Sequence, residues 1–217
     1  YYAPAPGAFA EFGASWLGWN PETGKAVPHP AVALPVADLT QAPRKYGLHA
    51  TLKAPFRPQT TREELDEGIA TLAADLSPVT LDGLELAHLA GFLALRPVGD
   101  LTALNQLAAR IVTGLDRHRA PLSEAEIARR KPDQLTAEQR QMLNEWGYPH
   151  VLDGFRFHIT LTSSLPAETL TLVSNTLTPI LEGILPRPFV IDHICLFGED
   201  DDGRFHLLKR YPLGHGG

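Results

Sequence analysis

Tyr46-Gly47-Leu48-His49-Ala50-Thr51-Leu52-Lys53-Ala54-Pro55-Phe56 carries a pattern, His, apolar, Thr, Leu, that returns far downstream. The second copy stands within Phe155-Arg156-Phe157-His158-Ile159-Thr160-Leu161-Thr162. Both stretches are rich in apolar and β-branched residues and are bounded by Gly or Pro, which predicts strands. On an extended chain residues i and i+2 point the same way. His49 therefore shares a face with Thr51, and His158 with Thr160. Two such strands facing one space supply two imidazoles and two hydroxyls, the minimum set for acid–base chemistry on a phosphate ester without a metal. An imidazole with an ordinary pKa of about 6.5 exchanges protons at neutral pH. One ring can deprotonate the attacking water or hydroxyl while the other protonates the departing alkoxide. Thr51 and Thr160 would donate to the nonbridging oxygens, where charge is held during transfer. Lys53 continues the parity of His49, and Arg156 that of His158, so both are candidate phosphate ligands.

Outward from these strands, Phe9, Phe12 and Trp16 fall on one face of a short helix over residues 8–17. Residues 20–43 are rich in Pro and small side chains and read as loop. Thr61 with Glu64 is a capping box, and Leu65, Ile69, Leu72 and Leu76 give the helix behind it a core face. Residues 79–86 and 91–97 read as a pair of strands. Another helix follows from Asp100, with Leu101, Leu104, Ile111 and Leu115 facing inward. Beyond the second His strand, Pro166 opens a helix striped with Leu170, Val173, Leu177, Ile180 and Leu181. Residues 189–197 and 204–211 then form a hairpin. Each half thus runs His-x-Thr strand, helix, two strands. That order predicts an α+β fold of duplicated, two-lobed architecture, with a first lobe at 1–119 and a second at 151–217.

Residues 120–150 break the repeat. Ser123 with Glu126 and Thr136 with Gln139 are two further capping-box spacings, so this stretch is a helical insertion with two short helices. The basic run Arg129-Arg130-Lys131 lies between them, and Arg130 is a candidate clamp for a second phosphate. Tyr46, Trp146 and Tyr148 are aromatic candidates for stacking on a sugar or base. Glu199-Asp200-Asp201-Asp202 reads as a solvated turn. His193, His206 and Cys195 lack the close spacing of a structural zinc site. His29, His88, His118, His150 and His215 have no partner identifiable in the sequence. There is no phosphate-binding glycine loop and no dinucleotide fingerprint.

The chain has 217 residues, long enough for a substantial core. Its 44% hydrophobic and 20% charged content is that of a soluble globular protein. No apolar run reaches membrane-spanning length, and no secretory leader is visible, although the chain opens at Tyr1. The one cysteine, Cys195, precludes an intramolecular disulfide and fits a reducing compartment. A net charge of −6 argues against binding long nucleic acid, which depends on a basic surface. The expectation is a cytoplasmic protein acting on a small ligand.

The spaced pair His49-Ala50-Thr51-Leu52 and His158-Ile159-Thr160-Leu161 resembles the signature of the two-histidine (2H) phosphoesterase superfamily. The wider match, through Tyr46–Phe56, Trp146-Gly147-Tyr148-Pro149 and Phe155-Arg156-Phe157-His158, is similar to an uncharacterised branch encoded beside bacterial phosphonate-utilisation genes. The resemblance implies a LigT-like single bilobal domain over 1–217, each lobe an antiparallel sheet with helices outside and a cleft between lobes. It implies no metal or other cofactor, His49 and His158 as acid–base pair, and Thr51 and Thr160 as phosphate-binding hydroxyls. The implied substrate is a small cyclic phosphate, for instance a ribosyl cyclic phosphate of phosphonate breakdown. Two alternatives stand beside it: an RNA 2′,3′-cyclic phosphodiesterase or 2′–5′ ligase-type enzyme, and a non-catalytic module binding a nucleotide or phosphosugar.

Overall fold

The structure, a computed structural model, describes residues 1–214; His215 lies outside the described residues. In chain order its elements are α1 (Ala8–Leu17), β1 (Trp19–Asn20), β2 (Lys25–Ala26), α2 (Val36–Leu39), α3 (Gln41–Arg44), α4 (Arg62–Ala74), β3 (Val79–Leu81), β4 (Gly83–Leu89), β5 (Phe92–Val98) and α5 (Thr102–Gly114). There follow α6 (Glu124–Arg129), α7 (Ala137–Trp146), β6 (Ile159–Thr160), α8 (Ala167–Glu182), β7 (Phe189–Ile191), β8 (His193–Glu199) and β9 (Phe205–Pro212). The fold is mixed helix and antiparallel sheet. All three capping boxes read from the sequence are present, at Thr61–Glu64, Ser123–Glu126 and Thr136–Gln139.

The chain divides into two compact units, and their boundaries differ from the expected lobes. The first comprises Tyr1–Thr51, Thr80–Leu101 and Phe157–Arg210; the second comprises Leu52–Val79, Thr102–Arg156 and Tyr211–Gly217. Both His-x-Thr segments therefore belong to the same unit rather than to one lobe each. The first unit is built on pairings between distant segments. Tyr2 and Ala50 exchange backbone hydrogen bonds of 2.9 Å in each direction. Ala50 also bridges Ile159 in antiparallel sense, and Leu95 of β5 pairs with Ile159. On the far side, the Cys195 N–H donates to the Tyr1 carbonyl at 2.7 Å. The β4–β5 hairpin is thus aligned with the His158 segment and β8 with the Tyr1 segment, while the Phe205 N–H of β9 donates to the Lys45 carbonyl at 2.8 Å. Helix α8 packs on β4 and β5; of the stripe expected of it, Leu170, Val173, Leu177 and Leu181 are buried and Ile180 is half-buried.

The two His segments are much shorter as strands than their composition predicts. β6 is two residues long, and the first copy pairs only through Ala50. Gly47, at φ 73°, turns the chain just before His49, a left-handed conformation that a side chain disfavours. Residues 20–43, expected to be loop, contain the small β1–β2 ladder and the one-turn helices α2 and α3.

Helix α1 approaches the His49 segment closely at Gly13. A Cβ there would meet Leu48 Cβ at 2.5 Å and Cδ2 at 2.4 Å. The Gly13→Ala change gains less than about 1 kcal/mol in helix propensity, whereas overpacking costs about 1–3 kcal/mol. Gly13→Ala is expected to lower the urea midpoint; an unchanged or higher midpoint would contradict this packing.

Candidate active site

Ala50 and Ile159 are both 0% exposed. Because side chains alternate along an extended chain, the flanking residues face the other way, and His49, Thr51, His158 and Thr160 are all half-buried. The antiparallel bridge between Ala50 and Ile159 sets His49 across from Thr160, and Thr51 across from His158. Two imidazoles and two hydroxyls accordingly share one face of one unit. Neither threonine hydroxyl has a hydrogen-bond partner among the described residues. Thr162, by contrast, is buried, and its hydroxyl accepts from the Leu93 N–H at 2.9 Å.

His49 is the more constrained ring. Its Nδ1 lies 2.9 Å from the Gly47 carbonyl. A carbonyl only accepts, so Nδ1 carries the hydrogen and Nε2 of the neutral ring presents a lone pair. Tyr46 stacks on the imidazole with centroids 4.7 Å apart, and the Tyr1 ring meets it edge-on at 5.2 Å. Burial among these groups pushes the pKa of His49 down to about 4, against the raising effect of the Gly47 carbonyl; the neighbouring His158 adds to the depression. The two imidazoles are close enough to feel each other's charge. On the other side, the Phe92 ring lies 5.9 Å from that of His158.

The remaining sequence candidates divide. Tyr46 is in place, but its ring stacks on His49 and, at 4.2 Å, on Phe205, so it walls the site instead of receiving a base. Lys53, Arg156, Arg130 and Tyr148 belong to the second unit. Lys53 is buried there, its ammonium 2.9 Å from the Val112 carbonyl and 3.0 Å from Asp116. Asp116 is held in turn by Arg119 at 2.8 and 3.0 Å. Lys53 is thus a structural cation; the chain leaves the His49 segment at Leu52, so the parity argument does not reach it. Arg156 donates to the carbonyls of Asp153 and Phe155, which folds its guanidinium back onto its own turn. Arg130 lies over the Tyr148 ring at 4.9 Å, with His150 edge-on to that ring, so these two candidates form one cluster in the helical insertion. In the acidic turn, Asp200 accepts from the amides of Asp202 and Arg204 and from His206, as a turn residue does. Among the described residues no group of three or more His, Cys, Asp or Glu could hold a metal ion.

Sequence reasoning missed Phe92, Phe205 and Lys45. Lys45 places its ammonium 4.6 Å from the centre of the Tyr46 ring. Phe92 and Phe205 come from hairpins remote in sequence and carry no motif; Lys45 could have been flagged only by its adjacency to Tyr46.

Residues 51–206 match a family described as "Protein of unknown function (DUF1045)". The matched range takes in Thr51, His158 and Thr160 and begins two residues after His49. Two curated relatives, from Janthinobacterium sp. (strain Marseille) and Laribacter hongkongensis (strain HLHK9), both carry the name ribose 1,5-bisphosphate phosphokinase PhnN. They are 38% and 30% identical to this chain over 98% and 97% of its length. Each alignment covers 50% of the relative, so the chain spans about half the length of the curated relatives it matches. A solved structure titled "Crystal structure of phosphoesterase" aligns with a TM-score of 0.40 and 16% identity, over 77% of this chain and 78% of that one.

Two measurements check this geometry. In an NMR titration the His49 ring should protonate at about pH 4, and His158→Ala should move that midpoint upward by removing a like charge; an unmoved midpoint would separate the rings. The sign for stability follows. Between about pH 6.5 and 4 the unfolded chain binds a proton here that the folded chain refuses, so this contribution to stability falls as pH drops through that window. In the second unit, Asp116→Ala strands the buried Lys53 ammonium and should cost about 3 kcal/mol in chemical denaturation; a loss under about 1 kcal/mol would show the pair to be incidental.

Proposed function

The chain belongs to the DUF1045 family, and we propose that it is a phosphoesterase that opens a small cyclic phosphodiester with His49 and His158. The observation that carries this reading is the bridge between Ala50 and Ile159, which turns both His-x-Thr pairs onto one face. The bonding of His49 supports assigning the roles. With Nδ1–H committed to Gly47 and a depressed pKa, its Nε2 is a free base at neutral pH. Nε2 takes a proton from water as the water oxygen attacks phosphorus. The ring P–O bond breaks, and His158, as general acid, gives a proton to the departing alkoxide. The product is a phosphomonoester with one new hydroxyl. Thr51 and Thr160 donate to the nonbridging oxygens as charge builds on them.

The substrate class is drawn from the relatives. They are named for a kinase of ribose 1,5-bisphosphate, and this chain corresponds to about half of each. A partner activity on a ribosyl cyclic phosphate fits that company, as does the resemblance to the branch encoded beside phosphonate-utilisation genes. A cytoplasmic location is part of the same proposal.

His49→Ala and His158→Ala should each lower kcat on a ribosyl cyclic phosphate by about 10²–10⁴, with the folded circular-dichroism spectrum retained, and phosphorus NMR should show a monoester as product. Turnover untouched by either change would remove the assignment. Product from RNA 2′,3′-cyclic ends alone would make it an RNA-processing enzyme; tight binding with no product would make it a binding module.

A further inference from the structure

Lys45 sits at the edge of the aromatic wall that Tyr46 and Phe205 build beside His49. Its ammonium is 4.6 Å from the centre of the Tyr46 ring and 5.5 Å from that of Phe205, an arrangement in which the ring quadrupoles hold a cation in place. The Tyr46 and His49 centroids are 4.7 Å apart, so the ammonium is within about 9 Å of the His49 ring. Lys45 is exposed, and among the described residues no carboxylate pairs with it. Its neighbour Arg44 differs: that guanidinium is used up on the Leu17 and Ala37 carbonyls and the Thr40 hydroxyl. An un-neutralised ammonium on a flexible stem, beside a proposed phosphate site, is suited to a further anionic group.

We infer that Lys45 binds a second, non-reacting phosphate, so that the site takes the cyclic phosphate of a small sugar that also bears a phosphomonoester. This rests on the reaction proposed for the same face and deepens it. The ammonium lies within about 9 Å of the His49 ring, a reach that a five-carbon sugar can match between a phosphate fused to its ring and one on its exocyclic carbon. The second phosphate takes no part in bond-making; only the ring P–O bond breaks. Tyr46 then acts twice, packing the His49 imidazole and carrying the Lys45 charge.

The test compares two five-carbon sugar cyclic phosphates, with and without the second phosphate, on the whole chain and on its Lys45→Met and Lys45→Arg variants. The wild type should favour the doubly phosphorylated compound in kcat/KM by about tenfold or more, as expected for a charge-assisted contact. Lys45→Met should bring that ratio near one, chiefly through KM, while Lys45→Arg should keep most of it. Added salt should shrink the wild-type preference. A wild-type ratio of one, or a ratio that Lys45→Met leaves unaltered, overturns the inference. If the wild type turns over neither compound, it is the phosphoesterase reading that fails, and calorimetric binding of the same two compounds decides Lys45 separately. Equal wild-type affinities, or an affinity ratio unchanged in Lys45→Met, overturn it there too.

Discussion

Ala50 is hemmed in by backbone on both sides, bonded to Tyr2 and bridged to Ile159, and it retains no solvent exposure. This single small residue decides where two histidines and two threonines can go. A side chain much larger than a methyl group would have to displace neighbouring chain. A slip of one residue in the register would turn the imidazoles inward and the apolar residues out. The resulting face is polar but not strongly charged. It presents two hydroxyls and two imidazoles, with Lys45 near the Tyr46 ring beside His49.

Positive charge is used in two ways. Some cations are spent on the protein itself: Lys53 on Asp116, Arg119 on Asp116 and the Glu145 carbonyl, and Arg57 on Glu126. Such pairs fix local geometry, and the buried Lys53 ammonium in particular must be paired. In the first unit Lys45 rests on aromatic rings that stabilise it without cancelling it. The distinction separates a basic residue that builds the fold from one that can meet a ligand, and spacing along the chain does not reveal it.

What the sequence made legible follows the range of the forces involved. Helix starts are governed by side chains three residues apart, so the boxes at Thr61, Ser123 and Thr136 were readable directly. The α8 stripe was readable for the same reason, through a period of 3.6. The shared placement of His49 and His158 was readable because two copies of one short pattern reinforced each other. Strand extent was not, because pairing is decided by distant partners: the first His segment looks like a long strand yet pairs at one residue. Lys53 failed for a related reason. Parity holds only while the chain stays extended, and here the chain crosses into the other unit between Thr51 and Leu52. The aromatic wall was invisible because Phe92 and Phe205 are supplied by hairpins that carry no motif.

The Tyr1 amino group and the Cys195 carbonyl, joined at 3.0 Å, are 194 positions apart in the chain, and Ala50 waits for Ile159. During vectorial synthesis the segment bearing His49 leaves the ribosome long before Ile159 exists. Ala50 can bond Tyr2 as soon as both are made, but its bridge to Ile159 waits until translation has passed residue 159. Loop closure over such distances is entropically late. The face bearing both imidazoles is consequently completed only after the second His-x-Thr segment has been made, and a nascent chain stopped before it would carry the first imidazole alone.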